Sequence, residues 1–87
     1  MKFNQIEDVK SYIKFLQDTV GRDSKWYKDL ERFSSHYYPS TSEYFGELVI
    51  FIERIVVDEA FKEHKSELLQ LRRILKASFR NQAIWKI

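Results

Sequence analysis

The chain has 87 residues, of which 44% are hydrophobic and 32% are charged, and its formal net charge is +2. This length allows a single domain, and the apolar content excludes a disordered chain, which would have few apolar residues and a large net charge. The absence of Cys excludes disulfides and thiolate metal sites, and it is typical of a reducing compartment.

The first predicted element is an amphipathic helix over residues 5–20. Its apolar residues recur at intervals of three and four, which places them on one helical face: Ile6, Val9, Ile13, Leu16 and Val20. Asn4 and Glu7 form a capping-box pattern at the start of this helix, and Gly21 supplies a left-handed stop at its end.

A second helix is predicted over residues 24–36. It is expected to begin at Asp23 or Ser24, and the same apolar spacing continues through Trp26, Leu30, Phe33 and Tyr37. Pro39 disfavours helical geometry at Tyr38, so we expect the helix to end near His36.

A third helix, over residues 41–57, is predicted to open with a capping box of Ser40 and Glu43. Apolar residues cover nearly all of its faces: Phe45, Leu48, Val49, Ile50, Phe51, Ile52, Ile55, Val56 and Val57. Residues 48–52 would also suit a β-strand, but the chain has no second strand with which it could pair. We therefore predict a helix that is central in a bundle or buried in an oligomer.

The apolar phase changes at Val57, and a new series follows: Phe61, His64, Leu68, Leu71 and Leu75. Asp58 or Ser66 could cap a new helix here, or one helix could continue with a bend, and these alternatives stay open. We predict helix over residues 59–81. Together these elements predict one all-α domain over residues 1–87, a compact three- to four-helix bundle with no sheet.

Charge is divided unevenly along the chain. Five of the 15 basic residues and none of the 13 acidic residues follow Glu67, so the two parts carry +5 and −3. Six basic residues of the predicted last helix form a basic stripe, five of them close to one helical face and Arg73 beside it: Lys62, Lys65, Arg72, Arg73, Lys76 and Arg80. This stripe could bind a nucleic-acid backbone or an acidic protein, although a solvated helix face commonly has the same pattern.

Aromatic residues near the predicted loop between helices two and three are candidates for binding a protein partner. Tyrosine beside a loop is a favoured anchor at protein interfaces, and the alternative role is to cover the core. The candidates are three tyrosines near this loop and one tryptophan of the C-terminal tail: Tyr37, Tyr38, Tyr44 and Trp85.

Self-association is a further expectation, because two or three other helices leave parts of the third helix uncovered. The exposed remainder is expected to include Ile50, Phe51 and Val57, joined by Ile84, Trp85 and Ile87 from the tail. A homodimer would cover this patch, whereas a well-closed four-helix bundle would keep the chain monomeric.

No residue pattern predicts catalysis, a cofactor or a metal. His36 and His64 lack metal-ligand spacing, and His64 is expected to be half-buried on an apolar face. Ser34, Ser35 and His36 are adjacent on a helix, so their side chains diverge and do not form a triad. The two glycines are too far apart to form a phosphate-binding loop.

These observations predict a non-catalytic protein–protein interaction module of the regulator, inhibitor, immunity or adaptor type. The alternative is a nucleic-acid-binding protein that uses the basic last helix. We expect the cytoplasm, because the first residues lack the apolar segment of a secretory signal. Membrane binding is not expected, since the most apolar run, residues 48–57, is interrupted by charges and is shorter than a spanning helix.

Overall fold

The structure, a computed structural model, describes residue 3 and residues 6–78. These residues form four α-helices and one 3-10 helix, with no strand among them. The elements in chain order are α1 (Ile6–Val20), α2 (Tyr27–Ser35), α3 (Thr41–Ile55), the 3-10 helix (Glu59–His64) and α4 (Lys65–Ser78). The prediction of an all-α bundle is confirmed.

The core lies between two packed helix pairs, α1 with α2 and α3 with α4. Every element contributes fully buried side chains, among them Ile13, Leu30, Leu48, Ile52, Phe61, Leu68 and Leu71. Aromatic rings fill the space between α2 and α3, where Phe33 stacks on Phe51 at 5.0 Å and Trp26 meets the edge of Phe51 at 5.7 Å. Large rings thus supply the apolar area that a short chain needs.

The connection from α1 to α2 is longer than predicted. Gly21 ends α1 as expected, with φ at +80° and its N–H donating to the Gln17 carbonyl at 3.1 Å. The predicted start of α2 at Asp23 or Ser24 is wrong, because Ser24 lies in a turn. Its hydroxyl accepts from the Trp26 N–H at 3.1 Å, its carbonyl accepts from the Tyr27 N–H at 3.1 Å, and α2 begins at Tyr27.

Helix α3 begins as predicted, since the Ser40 hydroxyl accepts from the Glu43 N–H at 3.1 Å. Residues 48–52 lie inside α3, so the strand alternative is wrong. The helix ends at Ile55, before the predicted residue 57, and a turn follows. Asp58 then caps the 3-10 helix by accepting from the Ala60 N–H at 2.9 Å. Of the alternatives for this junction, a new element capped at Asp58 is therefore the one that forms.

Candidate interaction surfaces

The loop between α2 and α3 turns two consecutive tyrosines in opposite directions. His36 adopts an extended conformation, with φ at −78° and ψ at 150°, which ends α2 ahead of Pro39. The Tyr37 side chain is 88% exposed. Tyr38 packs back onto the core, where its ring stacks on Phe33 at 6.1 Å. Tyr37 is therefore the tyrosine of this loop that faces solvent.

The prediction of Tyr44 as a partner-binding residue is wrong. Its side chain is 1% exposed, and its hydroxyl donates a hydrogen bond to the Phe33 carbonyl at 2.5 Å. Its ring also meets the Tyr38 ring edge-on at 5.0 Å. Burial raises the pKa of the Tyr44 phenol, and the neighbouring Tyr38 adds to this effect. Tyr44 joins α3 to the end of α2, so its role is structural.

Tyr38 is intermediate in exposure between Tyr37 and Tyr44, since its ring is partly buried and its hydroxyl is covered. Among the described residues this hydroxyl has no hydrogen-bond partner. Burial raises the pKa of Tyr38, the positive charge of Arg32 opposes the rise, and the negative charge of Glu47 adds to it. Tyr38 is thus less exposed than Tyr37, and its binding role stays a prediction.

An open groove runs beside Tyr37 between α2 and α3. Its walls are a mixture of charged and apolar side chains: Arg32, His36, Tyr37, Tyr38, Pro39, Glu43 and Glu47. The Arg32 guanidinium lies 4.8 Å from the centre of the Phe33 ring, so one wall of the groove presents a cation. The opposite wall presents the carboxylates of α3. Such a combination suits a protein surface that has both apolar and charged groups.

Helix α4 concentrates positive charge on its solvent face. At about 100° per residue, Lys65, Arg72, Arg73 and Lys76 fall within an arc of about 100°. In the part of the chain that the structure describes, none of them forms an ion pair. The one acidic residue of α4, Glu67, lies across the helix, 3.7 Å from the His64 imidazole.

Leu69 lies in the middle of this basic face and is 40% exposed. It departs from the spacing of the buried Leu68, Leu71 and Leu75, and such a departure is a signal in the sequence for an apolar residue outside the core. Of the other predicted basic residues, Lys62 is exposed on the 3-10 helix. Arg80 and Trp85 lie outside the described residues, as do Ile84 and Ile87.

Of the apolar residues of the third helix that were predicted to be exposed, one is buried. Ile50 and Val57 are exposed, whereas Phe51 is 3% exposed because it packs between Trp26 and Phe33. The position of Phe51 on α3 turns it toward α2 and not toward solvent.

The side chains of Ser34, Ser35 and His64 have structural partners. The Ser34 hydroxyl lies 3.0 Å from the amide oxygen of the buried Gln17 and 3.1 Å from the Glu31 carbonyl, which also accepts from Ser35 at 2.8 Å. His64 is half-buried, as predicted, with its ring against Phe15 at 5.5 Å. The described residues contain no group of His, Asp and Glu that could hold a metal ion.

Comparison with models of protein families, with curated proteins and with solved structures finds no match. Within residue 3 and residues 6–78, no helix is both long and apolar enough to cross a membrane.

Proposed function

We propose that this chain is a small non-catalytic protein–protein interaction module that binds a protein partner at the surface around Tyr37. The observation that carries the proposal is the 88% exposure of Tyr37 beside an open groove, which is lined by positively and negatively charged side chains. Tyrosine is enriched among the residues that dominate binding energy, since its ring buries a large area and its hydroxyl can form a hydrogen bond.

The residue that follows Tyr37 packs on the core. Tyr38 and Pro39 follow Tyr37 directly, and Tyr38 is fixed against Phe33 and Tyr44. A loop held in this way loses little conformational freedom when a partner binds, so more of the interaction energy contributes to affinity.

A photo-crosslinking amino acid placed at Tyr37 tests this proposal in cells. We expect it to capture a different protein, and the same amino acid placed at Ser11, on the exposed side of α1, should not capture it. The purified partner should then bind the wild-type chain and lose at least about tenfold in affinity for Tyr37→Ala. A Ser11→Ala variant serves as the control and should bind like wild type. Equal affinities for all three chains would refute the assignment of this surface.

Nucleic-acid binding through α4 is the second candidate, because its basic face has no acidic residue and its cations have no ion pairs in the described region. A phosphate backbone requires only such a cluster of cations. Acidic protein surfaces meet the same requirement, so the measurement has to show the salt dependence typical of phosphate contacts.

Retention on heparin and on mixed-sequence duplex DNA at two salt concentrations provides that measurement. The second candidate requires retention at low salt that falls steeply as salt rises. Arg73→Glu should abolish it, whereas Lys28→Glu, at an exposed position on α2, should reduce it only slightly. Both substitutions lower the formal net charge from +2 to 0, so a difference between them identifies the α4 face. No retention at low salt would eliminate nucleic acid as a ligand.

A further inference from the structure

Cations surround the exposed leucine of α4 on three sides. Leu69 is 40% exposed. Residues three and four positions apart are neighbours on a helix surface, and at these distances from Leu69 stand Lys65, Arg72 and Arg73. Lys76 lies two helical turns after Leu69 on the same side. These five residues, Lys65, Leu69, Arg72, Arg73 and Lys76, are here called the Leu69 face.

An open groove runs along the Leu69 face. Leu69 and the three cations that follow it line this groove, and Ser66 and Ala77 line it as well. At about 100° per residue, Ser66 and Ala77 lie on the far side of Arg73 from Leu69. Both side chains are small, so a second helix has room to lie against α4 beside Leu69.

The charge of the Leu69 face favours an acidic occupant. In the described part of the chain none of its four cations forms an ion pair. A guanidinium pairs with a carboxylate through two parallel hydrogen bonds, and arginine is enriched at protein interfaces. The last residues of this chain do not suit the face, because residues 79–87 contain Arg80 and Lys86 and no acidic residue. Charge complementarity therefore indicates an acidic partner.

Leu69 distinguishes an acidic protein from a nucleic acid. A phosphate backbone presents charged oxygens, and these lose hydration without compensation when they are placed against an apolar side chain. A protein helix can place an apolar side chain on Leu69 and carboxylates around it. The contact then has an apolar centre and a charged rim, which is the usual composition of a protein interface.

We propose that the Leu69 face binds an acidic amphipathic helix of another protein. One large apolar side chain of that helix contacts Leu69, and carboxylates three and four positions to either side of it pair with the cations of the face. From Lys65 to Lys76 the face is about 17 Å long, which corresponds to three turns of the partner helix. This proposal goes beyond the Tyr37 surface, because it names another helix and a partner of defined chemistry.

A synthetic peptide of this chemistry tests the proposal. It is an Ala-rich helix of about 18 residues with one central Leu and with Glu three and four positions to either side. Fluorescence anisotropy measures its binding to the full chain at about 0.15 M salt, which screens exposed charges but leaves the apolar contact. We expect binding, and Ser in place of the peptide's Leu should weaken it about tenfold or more.

Variants of the chain locate the binding site. Leu69→Ala and Arg73→Glu should each weaken peptide binding about tenfold or more. Lys28→Glu makes the same change of charge at an exposed position on α2 and should alter the affinity less than about twofold. Circular dichroism should show unchanged helicity for Leu69→Ala, because Leu69 is outside the core and Ala favours helix.

An exchange of charges tests the pairing directly. The double variant Arg72→Glu/Arg73→Glu should lose the acidic peptide and bind a peptide in which each Glu is replaced by Lys. Mixed-sequence duplex DNA is the comparison ligand. Leu69→Ala should leave any DNA affinity unchanged, since phosphate contacts need only the cations.

Three results would overturn the proposal. The first is no peptide binding, and duplex DNA that binds under the same conditions would then assign the face to nucleic acid. The second is peptide binding that Leu69→Ala leaves unchanged, which would show attraction by charge alone. The third is a mass of two chains in sedimentation equilibrium that Leu69→Ala reduces to one, which would assign the face to a second copy. Tyr37→Ala should bind the peptide like wild type, so this proposal and the Tyr37 surface can fail separately.

Discussion

The indole N–H of Trp26 donates a hydrogen bond to Asp58 Oδ2 at 3.1 Å, across 32 positions of sequence. Through its other oxygen, the same carboxylate accepts from the Ala60 N–H and caps the 3-10 helix. Asp58 therefore fixes the turn after α3 and the start of α2 together. This bond also accounts for the delayed start of α2, because Trp26 is held in a turn by Ser24, Asp58 and the Phe51 ring.

Acid should weaken the Asp58 link. The bond from the Ala60 N–H, and then the bond from Trp26, hold the pKa of Asp58 below its usual value. A carboxylate whose pKa is lower in the folded chain than in the unfolded chain stabilises the fold at pH values above the unfolded-state pKa of about 4. This stabilisation is lost as the pH falls through the folded-state pKa. Asp58→Asn should thus lower the urea midpoint at about pH 6, and its difference from wild type should shrink by about pH 2.5. A difference that stays constant with pH would contradict this role for the carboxylate.

Truncations on opposite sides of α3 should differ in their effect on stability. Leu48 and Ile52 are fully buried, so Leu48→Ala or Ile52→Ala should lower the free energy of unfolding by about 2 to 5 kcal/mol. Ile50→Ala, on the exposed side, should change it by no more than about 0.5 kcal/mol. Urea denaturation at a concentration where the chain is monomeric measures all three. Equal losses would contradict the orientation of α3.

Local signals in the sequence were sufficient to predict the helices and most of their ends. Gly21 ends α1 and Ser40 begins α3 because both act on neighbouring backbone groups. The start of α2 could not be predicted in this way, since Asp58 and Phe51, which hold Trp26, are distant in sequence. Local cap patterns do not include tertiary contacts of this kind.

The candidate surfaces were predicted less completely, because exposure depends on helix phase and on packing. Tyr44 precedes Leu48 by one helical turn, and this spacing could have placed it on the buried face. Its hydrogen bond to the Phe33 carbonyl could not have been read from the spacing. Tyr37 and Tyr38 are adjacent residues of one type in one loop, and only the fold decides which of them faces solvent.

The stop at Gly21 should depend on backbone conformation alone. With φ at +80°, the residue lies in the region that L side chains avoid, and beyond Gly21 and its two chain neighbours no atom lies within 4 Å of an added Cβ. Gly21→Ala should cost about 1 kcal/mol, and Gly21→Asn should cost less because Asn tolerates the left-handed region. Urea midpoints for the three chains measure this order. An alanine variant as stable as wild type would show that the turn tolerates a different conformation.

Removing the Tyr44 hydroxyl should destabilise the fold without changing its architecture. Tyr44→Phe keeps the ring but leaves the Phe33 carbonyl without this donor, so the free energy of unfolding should fall by about 1 to 2 kcal/mol. Tyr37→Phe removes a hydroxyl from an exposed side chain and should have almost no effect. Thermal or urea unfolding of the two variants compares them. Similar losses would mean that the buried hydrogen bond contributes no more than an exposed hydroxyl.

Stability should also fall at alkaline pH, because two phenols are buried in their neutral forms. Burial is the main cause of the raised pKa of Tyr12, with the negative charge of Glu67 as a further cause, and burial also raises the pKa of Tyr44. Above about pH 10 the unfolded chain loses these protons while the folded chain retains them, so the free energy of unfolding decreases as the pH rises. Urea midpoints at about pH 8 and pH 11 should show this decrease, and Tyr44→Phe should make it smaller. Phenolate absorbance followed alongside circular dichroism gives an independent measurement. If all five tyrosines ionised near pH 10 with the helices intact, the two phenols would not be held neutral by the fold.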